Sequence, residues 1–383
     1  MSLETLEAYA LEHSPLMALA SFGHDVAEAE YLRASLAWVP ALKTEFGGGY
    51  MPGQEVGDDG RLTSNFGTPG YILSAEAQTT LPLYTFGKLR ALEAMGEQGR
   101  ALASAKEAVL REELLYQVRT LFDSLRFLDE ATDIAEEGRR HFDKARDKLE
   151  AMEEDDDIEY DQIDHFKLKI YESDIVRMEL ELARRQIDAR EGLAALAGLP
   201  GPDALTLEAG DLAPAAVDLD DSASWLDRLD GAGPELKVLD AEYRLQLGQA
   251  TLERRRWWPD IAIVGEARFQ KADPVNNVYR GQTIYDPYNK LYAGAVLGMS
   301  WTFDIVGRLS ATRKHRALAS LKQTKRDLYR EKLALEIRAL LRELKDLRRL
   351  VEVSARAQKA ARSWLVDRSN LYDSGFVPAK EVM

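Results

Sequence analysis

Leu81-Pro82-Leu83-Tyr84-Thr85-Phe86-Gly87-Lys88-Leu89-Arg90-Ala91 is a Pro/Gly turn that launches one helical pattern, from Leu83 to about Glu154. No proline interrupts the pattern up to Met152, and its glycines (Gly96, Gly99, Gly138) are few. Between Val118 and Ala135 the small or apolar positions step Val118, Leu121, Leu125, Leu128, Thr132, Ala135. That strict 3-4 spacing predicts the narrow seam of a coiled coil rather than the broader stripe of a globular helix. At 1.5 Å per residue the helix is expected to run about 100 Å, more than one compact domain covers.

The same element returns in Ser300-Trp301-Thr302-Phe303-Asp304-Ile305-Val306-Gly307-Arg308-Leu309-Ser310-Ala311, where Gly307 answers Gly87, Arg308 answers Lys88 and Ala311 answers Ala91. Its helix carries Ile337, Leu340, Leu344, Leu347 and Val351 at the same spacing. Upstream, Trp38-Val39-Pro40 answers Trp257-Trp258-Pro259, with an offset of 219 at the prolines and 220 at the glycines. A self-similarity this long reads as an internal duplication.

Composition narrows the class. The 383 residues suffice for two or three globular domains or one elongated one. Lys and Arg number 50 against 65 Asp and Glu, a net charge of −15, which argues against a nucleic-acid partner. There are no cysteines, which suits an exported protein built without disulfides and is equally permitted in cytosol. Mean hydropathy is −0.33 and no apolar run approaches eighteen residues, so a transmembrane helix is not expected. Met1-Ser2-Leu3-Glu4-Thr5 has neither the basic region nor the apolar core of a signal peptide, so the chain reads as cytosolic or as a trimmed mature form.

In chain order, residues 1–40 read as helical, broken near His13-Ser14-Pro15. Residues 41–81 switch to period two. Leu42, Thr44, Phe46, Gly48 and Tyr50 oppose Ala41, Lys43, Glu45 and Gly47, and Tyr71, Leu73, Ala75 and Ala77 oppose Ser74, Glu76 and Gln78. Met51 to Pro69, rich in Pro and Gly, reads as the loop of this hairpin. Residues 82–200 read as a helical hairpin with its tip near 153–161 and its return ending at Gly198-Leu199-Pro200-Gly201. A linker rich in Pro, Gly, Ala and Asp follows over 201–233, then a helix over 234–259.

Residues 260–302 form a second hairpin. Ile261, Ile263, Gly265, Ala267 and Phe269 oppose Ala262, Val264, Glu266, Arg268 and Gln270. Beyond a loop from Lys271 to Lys290, Leu291, Ala293, Ala295, Leu297, Met299 and Trp301 oppose Tyr292, Gly294, Val296, Gly298 and Ser300. Residues 303–383 hold the second long helix and its tip at Tyr372-Asp373-Ser374-Gly375-Phe376, and the counterpart of the first returning helix is expected to be missing. Each strand is about ten residues long, the span a tilted strand needs to cross a bilayer. The polar face carries Lys43, Glu45, Glu76, Glu266 and Arg268, as a water-filled lumen would. Four of the six tryptophans, Trp38, Trp257, Trp258 and Trp301, fall at strand ends beside the helices, where an interfacial girdle belongs.

Four strands are too few to close a membrane barrel, for which about eight is the minimum, and an unclosed sheet in lipid leaves backbone groups unpaired. The strands are therefore expected to be shared between chains, and the long helices to need neighbours in a cylinder.

On these residues the chain resembles the TolC family of outer-membrane efflux proteins. The resemblance rests on the paired Pro40 and Pro259 strand starts and the two strand-to-helix turns with Pro82, Gly87 and Gly307. It also rests on the Ala-Leu-Ala-Gly-Leu-Pro-Gly helix end and on Tyr372-Asp-Ser-Gly-Phe-Val at the second tip. It implies a mixed α and β membrane protein, a homotrimer with a twelve-stranded barrel in the outer membrane and a periplasmic helical barrel, its equatorial region near 201–233. It implies partners too: a periplasmic adaptor, an inner-membrane transporter or secretion ATPase, and outer-membrane lipid. Docking tips would lie at Asp155, Asp156, Asp157, Ile158, Gly375, Phe376 and Val377, and a periplasmic gate at Asp161, Asp164, Tyr372 and Glu381. Two departures stand out: the acidic first tip, and the absent last helix.

No catalytic chemistry is visible. The five histidines show no ligand spacing, and Asp155-x-Asp157-x-Glu159 starts like a calcium loop but has Tyr160 at the glycine position and Phe166 at the position of the bidentate Glu. No cofactor and no enzyme activity are expected. The competing reading is a soluble coiled-coil scaffold whose hairpins cap helices.

Overall fold

The computed structural model describes residues 1–154, 162–206, 208, 222–229 and 233–373. In chain order it runs α1 (Leu3–His13), α2 (Pro15–Ser35), β1 (Leu42–Val56), β2 (Leu62–Tyr84), α3 (Lys88–Glu154), α4 (Gln162–Ala197) and a 3-10 turn (Pro202–Ala204). It continues with α5 (Ser222–Asp227), α6 (Pro234–Arg255), β3 (Asp260–Asp273), β4 (Val275–Asn276), β5 (Val278–Tyr279), β6 (Gln282–Thr283), β7 (Lys290–Ser300) and α7 (Ile305–Asp373). The chain forms two compact units, one of residues 1–23, 103–238 and 325–383, the other of residues 24–102 and 239–324.

The first unit is helical, with its core where α1, α3 and α4 meet. Leu6 and Ala10 of α1 pack with Leu114, Val118, Phe122, Leu125 and Leu128 of α3 and with Ala189, Leu193 and Ala197 of α4. Along α3 the buried residues Leu128, Ala135, Phe142 and Leu149 recur every seven positions, the 3.5-residue period of a coiled coil. Phe142 and Leu149 pack on Leu168 and Ile175 of α4. The alternate seam positions change character along the helix. Thr132 accepts a 3.2 Å hydrogen bond from Gln186 Nε2, and Arg139 grips Glu179 through Nε and Nη2 at 2.9 and 2.7 Å. That fork holds the Glu179 carboxyl below its usual range, mainly by hydrogen bonding. The corresponding stripe on α7 is only partly covered: Ile337 and Leu344 are half-buried, whereas Leu340, Leu347 and Val351 are exposed and belong to no core cluster among the described residues.

In the second unit β1, β2, β3 and β7 pair antiparallel in that order, and β4 adds two residues parallel to the outer end of β1. The loops of both hairpins are shorter than their Pro/Gly content suggests. β1 continues through Pro52 and Gly53 to Val56, and β2 begins at Leu62, so the stretch from Met51 to Pro69 is mostly strand. Pro52 pairs opposite Pro69, and a register shift between Pro52 and Gly53 absorbs the break. The second loop likewise holds the end of β3, β4 and the small β5–β6 hairpin. β2 also runs past residue 81 to Tyr84, so α3 starts only at Lys88. Pro82 fits in β2 because β1 stops pairing at Thr79, leaving that stretch a single neighbour, where a residue without a donor is tolerated.

Candidate functional site

Strand register places Glu45, Glu76, Arg268 and Tyr292 in one row across β1, β2, β3 and β7. Glu76, Arg268 and Tyr292 are linked into a network through Glu266, and Glu45 pairs separately with Lys43. Arg268 donates to Glu76 at 2.5 and 3.1 Å and approaches Glu266 at 3.6 Å, while the Tyr292 hydroxyl donates to Glu266 at 2.7 Å. Lys43 pairs with Glu45 at 2.5 Å. Ions clustered on one sheet face belong against water, since stripping charges of solvent costs several kcal/mol each.

The next row belongs to the opposite face and reads Phe46, Ala75, Phe269, Leu291. Phe46 is 81% exposed, Leu291 82% and Leu297 68%, so no described residue covers this face. A contiguous apolar patch of this kind marks an interaction surface in a water-soluble chain, and a lipid-facing surface in a barrel strand.

At the helix side of the sheet the aromatic residues gather. The Trp301 indole donates to the Trp257 carbonyl at 3.0 Å, and Trp258 stacks on Phe86, ring centroids 5.4 Å apart. Trp38 lines a groove of about 860 Å³ together with Tyr84, Phe86 and Trp258. The structure thus brings Trp257 to Trp301, and Trp38 to the groove that Trp258 shares.

The two strand-to-helix turns are built differently. At the first, Phe86 and Gly87 both have positive φ, 52° and 81°, and Arg255 donates to the Phe86 carbonyl at 3.3 Å. At the second, Gly307 lies inside the first turn of α7 and its N–H is capped by the Asp304 carboxylate at 2.8 Å. The matched cations diverge as well: Lys88 pairs with Asp260 at 2.8 Å, whereas Arg308 donates to the Arg256 carbonyl. The repeated Gly-Lys and Gly-Arg steps are visible in the sequence. Their partners are not, because Asp260 and Arg256 reach the turns only through pairing of β3 with β2 and β7.

Of the proposed gate residues, Asp161 and Glu381 lie outside the described residues, as do Asp155, Asp156, Asp157, Ile158, Gly375, Phe376 and Val377. Tyr372 falls in the last turn of α7. Asp164 sits in the first turn of α4, largely buried and paired with Lys167 at 2.7 Å. Among the described residues no helix is long and apolar enough to cross a membrane, and no cluster of His, Asp or Glu is arranged to hold a metal ion.

The fold is that of outer-membrane channel proteins. The chain superposes on the CmeC outer membrane channel of Campylobacter jejuni with a TM-score of 0.76 at 12% identity, covering 99% of this chain and 78% of that one. Against the outer membrane protein VceC of Vibrio cholerae the values are 0.73, 15%, 99% and 88%. The open state of the MtrE outer membrane channel of Neisseria gonorrhoeae gives 0.67, 16%, 99% and 81%. At such identities the likeness establishes the fold of the single chain, mixed α and β as the resemblance to the TolC family implied. No family model matches the sequence, and comparison with characterised proteins finds no match.

Proposed function

We propose that the chain is one subunit of a homotrimeric outer-membrane exit duct, passively conducting substrate delivered by an inner-membrane transporter through a periplasmic adaptor. The observation that carries this reading is the open sheet with its four long strands β1, β2, β3 and β7, apolar and uncovered on one face and charged on the other. Its free edges are matched. β7 offers Lys290–Ser300 and β1 offers the stretch from Leu42 to Gly53, beyond which β4 occupies Gln54 and Glu55. Three copies joined edge to edge give twelve strands and remove every edge, which a sheet in lipid requires. The charged face then lines the lumen, the apolar face meets lipid, and the tryptophans lie at the periplasmic interface. The outer membrane with extension into the periplasm is the corresponding location, and a duct of this kind performs no catalysis.

The tips from Asp155 to Ile158 and from Gly375 to Val377 are the docking points in this proposal. Asp161, Asp164, Tyr372 and Glu381 form its gate, where acids repeated by symmetry make a cation-selective ring. The chain has no cysteine, so engineered crosslinks are free of background. Cysteines along β1 (42–52) and β7 (290–300), oxidised in membranes, should give a ladder ending at three times 43.0 kDa. A ladder ending at two chains, or none forming, would remove the trimer.

A further inference from the structure

We propose that the strand-to-helix junction binds anionic phospholipid headgroups, an inference that rests on the reading that the sheet spans a membrane. Over the whole chain acids outnumber bases, 65 to 50. At the junction the balance reverses. Arg254 and Arg255 close α6 with Arg256 just beyond it, Lys88 and Arg90 open α3, and Arg308, Arg313 and Lys314 fall in the first turns of α7.

These cations divide into two groups. Lys88, Arg255, Arg256 and Arg308 are spent within the protein, on Asp260, the Phe86 carbonyl, Glu253 and the Arg256 carbonyl. Lys88, Arg255 and Arg308 tie the ends of α6, α3 and α7 and the start of β3 into one knot beside Trp257, Trp258 and Trp301, while the Arg256–Glu253 pair is local to the end of α6. The side chains of Arg90, Arg254, Arg313 and Lys314 belong to exposed residues and make no ion pair or hydrogen bond among the described residues. Arg313 and Lys314 share a groove with Val306 and Leu309, which are 80% and 47% exposed. Apolar surface with cations one helical turn further on is the pattern of a segment seated at a lipid interface, its long side chains reaching the headgroup plane. The aromatic band fixes that plane at the same knot. Each basic residue close to an anionic surface strengthens association about fivefold, so the four together outweigh what an apolar band alone gives a zwitterionic lipid.

The test is native mass spectrometry of the detergent-purified full chain, titrated with phosphatidylglycerol or with phosphatidylcholine of the same acyl chains. The wild type should retain phosphatidylglycerol at concentrations at least tenfold lower. The triple variant Arg254→Gln, Arg313→Gln, Lys314→Gln, which leaves Arg90 in place, should cut that preference to about fivefold or less with its oligomeric mass unchanged, and the swap Arg313→Lys with Lys314→Arg should keep it. Equal retention of both lipids by the wild type overturns the proposal. So does an unchanged preference in the triple variant, or a triple variant whose subunits separate, since the groove would then be a contact between copies of this chain. Failure of the protein to enter liposomes at all would instead sink the membrane reading beneath it.

Discussion

Gly87 and Gly307 stand at matching places in the two halves of the sequence, yet substituting them should fail for different reasons. At Gly87, φ is +81°, and a Cβ would also come within 3.3 Å of Arg255. Gly87→Ala is expected to cost about 1–2 kcal/mol from backbone strain, in whatever company Arg255 is placed. At Gly307 the backbone is helical, and a Cβ would fall 2.0 Å from the Asp304 carboxylate. Gly307→Ala should therefore cost roughly the lost cap, about 0.5–2 kcal/mol. In an Asp304→Ala background the same change should be neutral or stabilising, since Ala exceeds Gly in helix propensity by about 1 kcal/mol. A double-mutant cycle in denaturant unfolding checks this, and equal costs in both backgrounds would contradict the cap. The Arg139–Glu179 fork has its own signature. Because the folded carboxyl titrates below its unfolded value of about 4.3, the pair stabilises above that pH and the contribution disappears as pH falls through the folded value. Glu179→Gln should be less stable than wild type near neutrality, and the two midpoints should converge in acid. Parallel midpoints from pH 7 to 3 would show that the fork contributes nothing.

Among the elements, the sheet offers the sharpest contrast between faces. Leu297→Arg on the uncovered apolar face should cost about 2–4 kcal/mol if the site lies near the bilayer midplane. Gly298→Arg on the opposite face should be tolerated, since the nearest atom to an added Cβ is 4.0 Å away. Folding into liposomes, followed by gel mobility, measures both, and equal sensitivity would mean that the faces are wrongly assigned. Leu125 of α3 is fully buried, so Leu125→Ala should lose about 2–5 kcal/mol in thermal or chemical unfolding.

These elements were unequally legible in the sequence. The α3 seam could be read because its core lies at fixed spacing on one element. The alternating parts of the strands, from Leu42 to Tyr50 and from Tyr71 to Leu81, could be read because one face carries apolar residues at every second position. Past Met51 and before Tyr71 that constraint ends: β1 and β2 continue as Gln54 opposite Ser64 and Glu55 opposite Thr63, polar pairs with no alternation to reveal them. The junction knot stayed hidden for another reason, since Lys88 to Asp260 and Arg255 to Phe86 join residues about 170 positions apart.

At the scale of the whole molecule, the sheet has open edges along β1 and β7, and Leu340, Leu347 and Val351 of α7 are exposed. Neutralising the acids assigned to the gate, Asp161→Asn with Glu381→Gln, should lower cation selectivity and weaken block by trivalent cations added from the helical end. Unchanged reversal potential and block would place the constriction elsewhere. The most direct test of the central claim is single-channel recording of the detergent-purified protein in a planar bilayer. The account predicts stable insertion and discrete, long-lived conductance steps from a species of three chains. A protein that stays soluble without detergent and produces no steps would contradict it, and would favour a scaffold whose hairpins pack against protein rather than lipid.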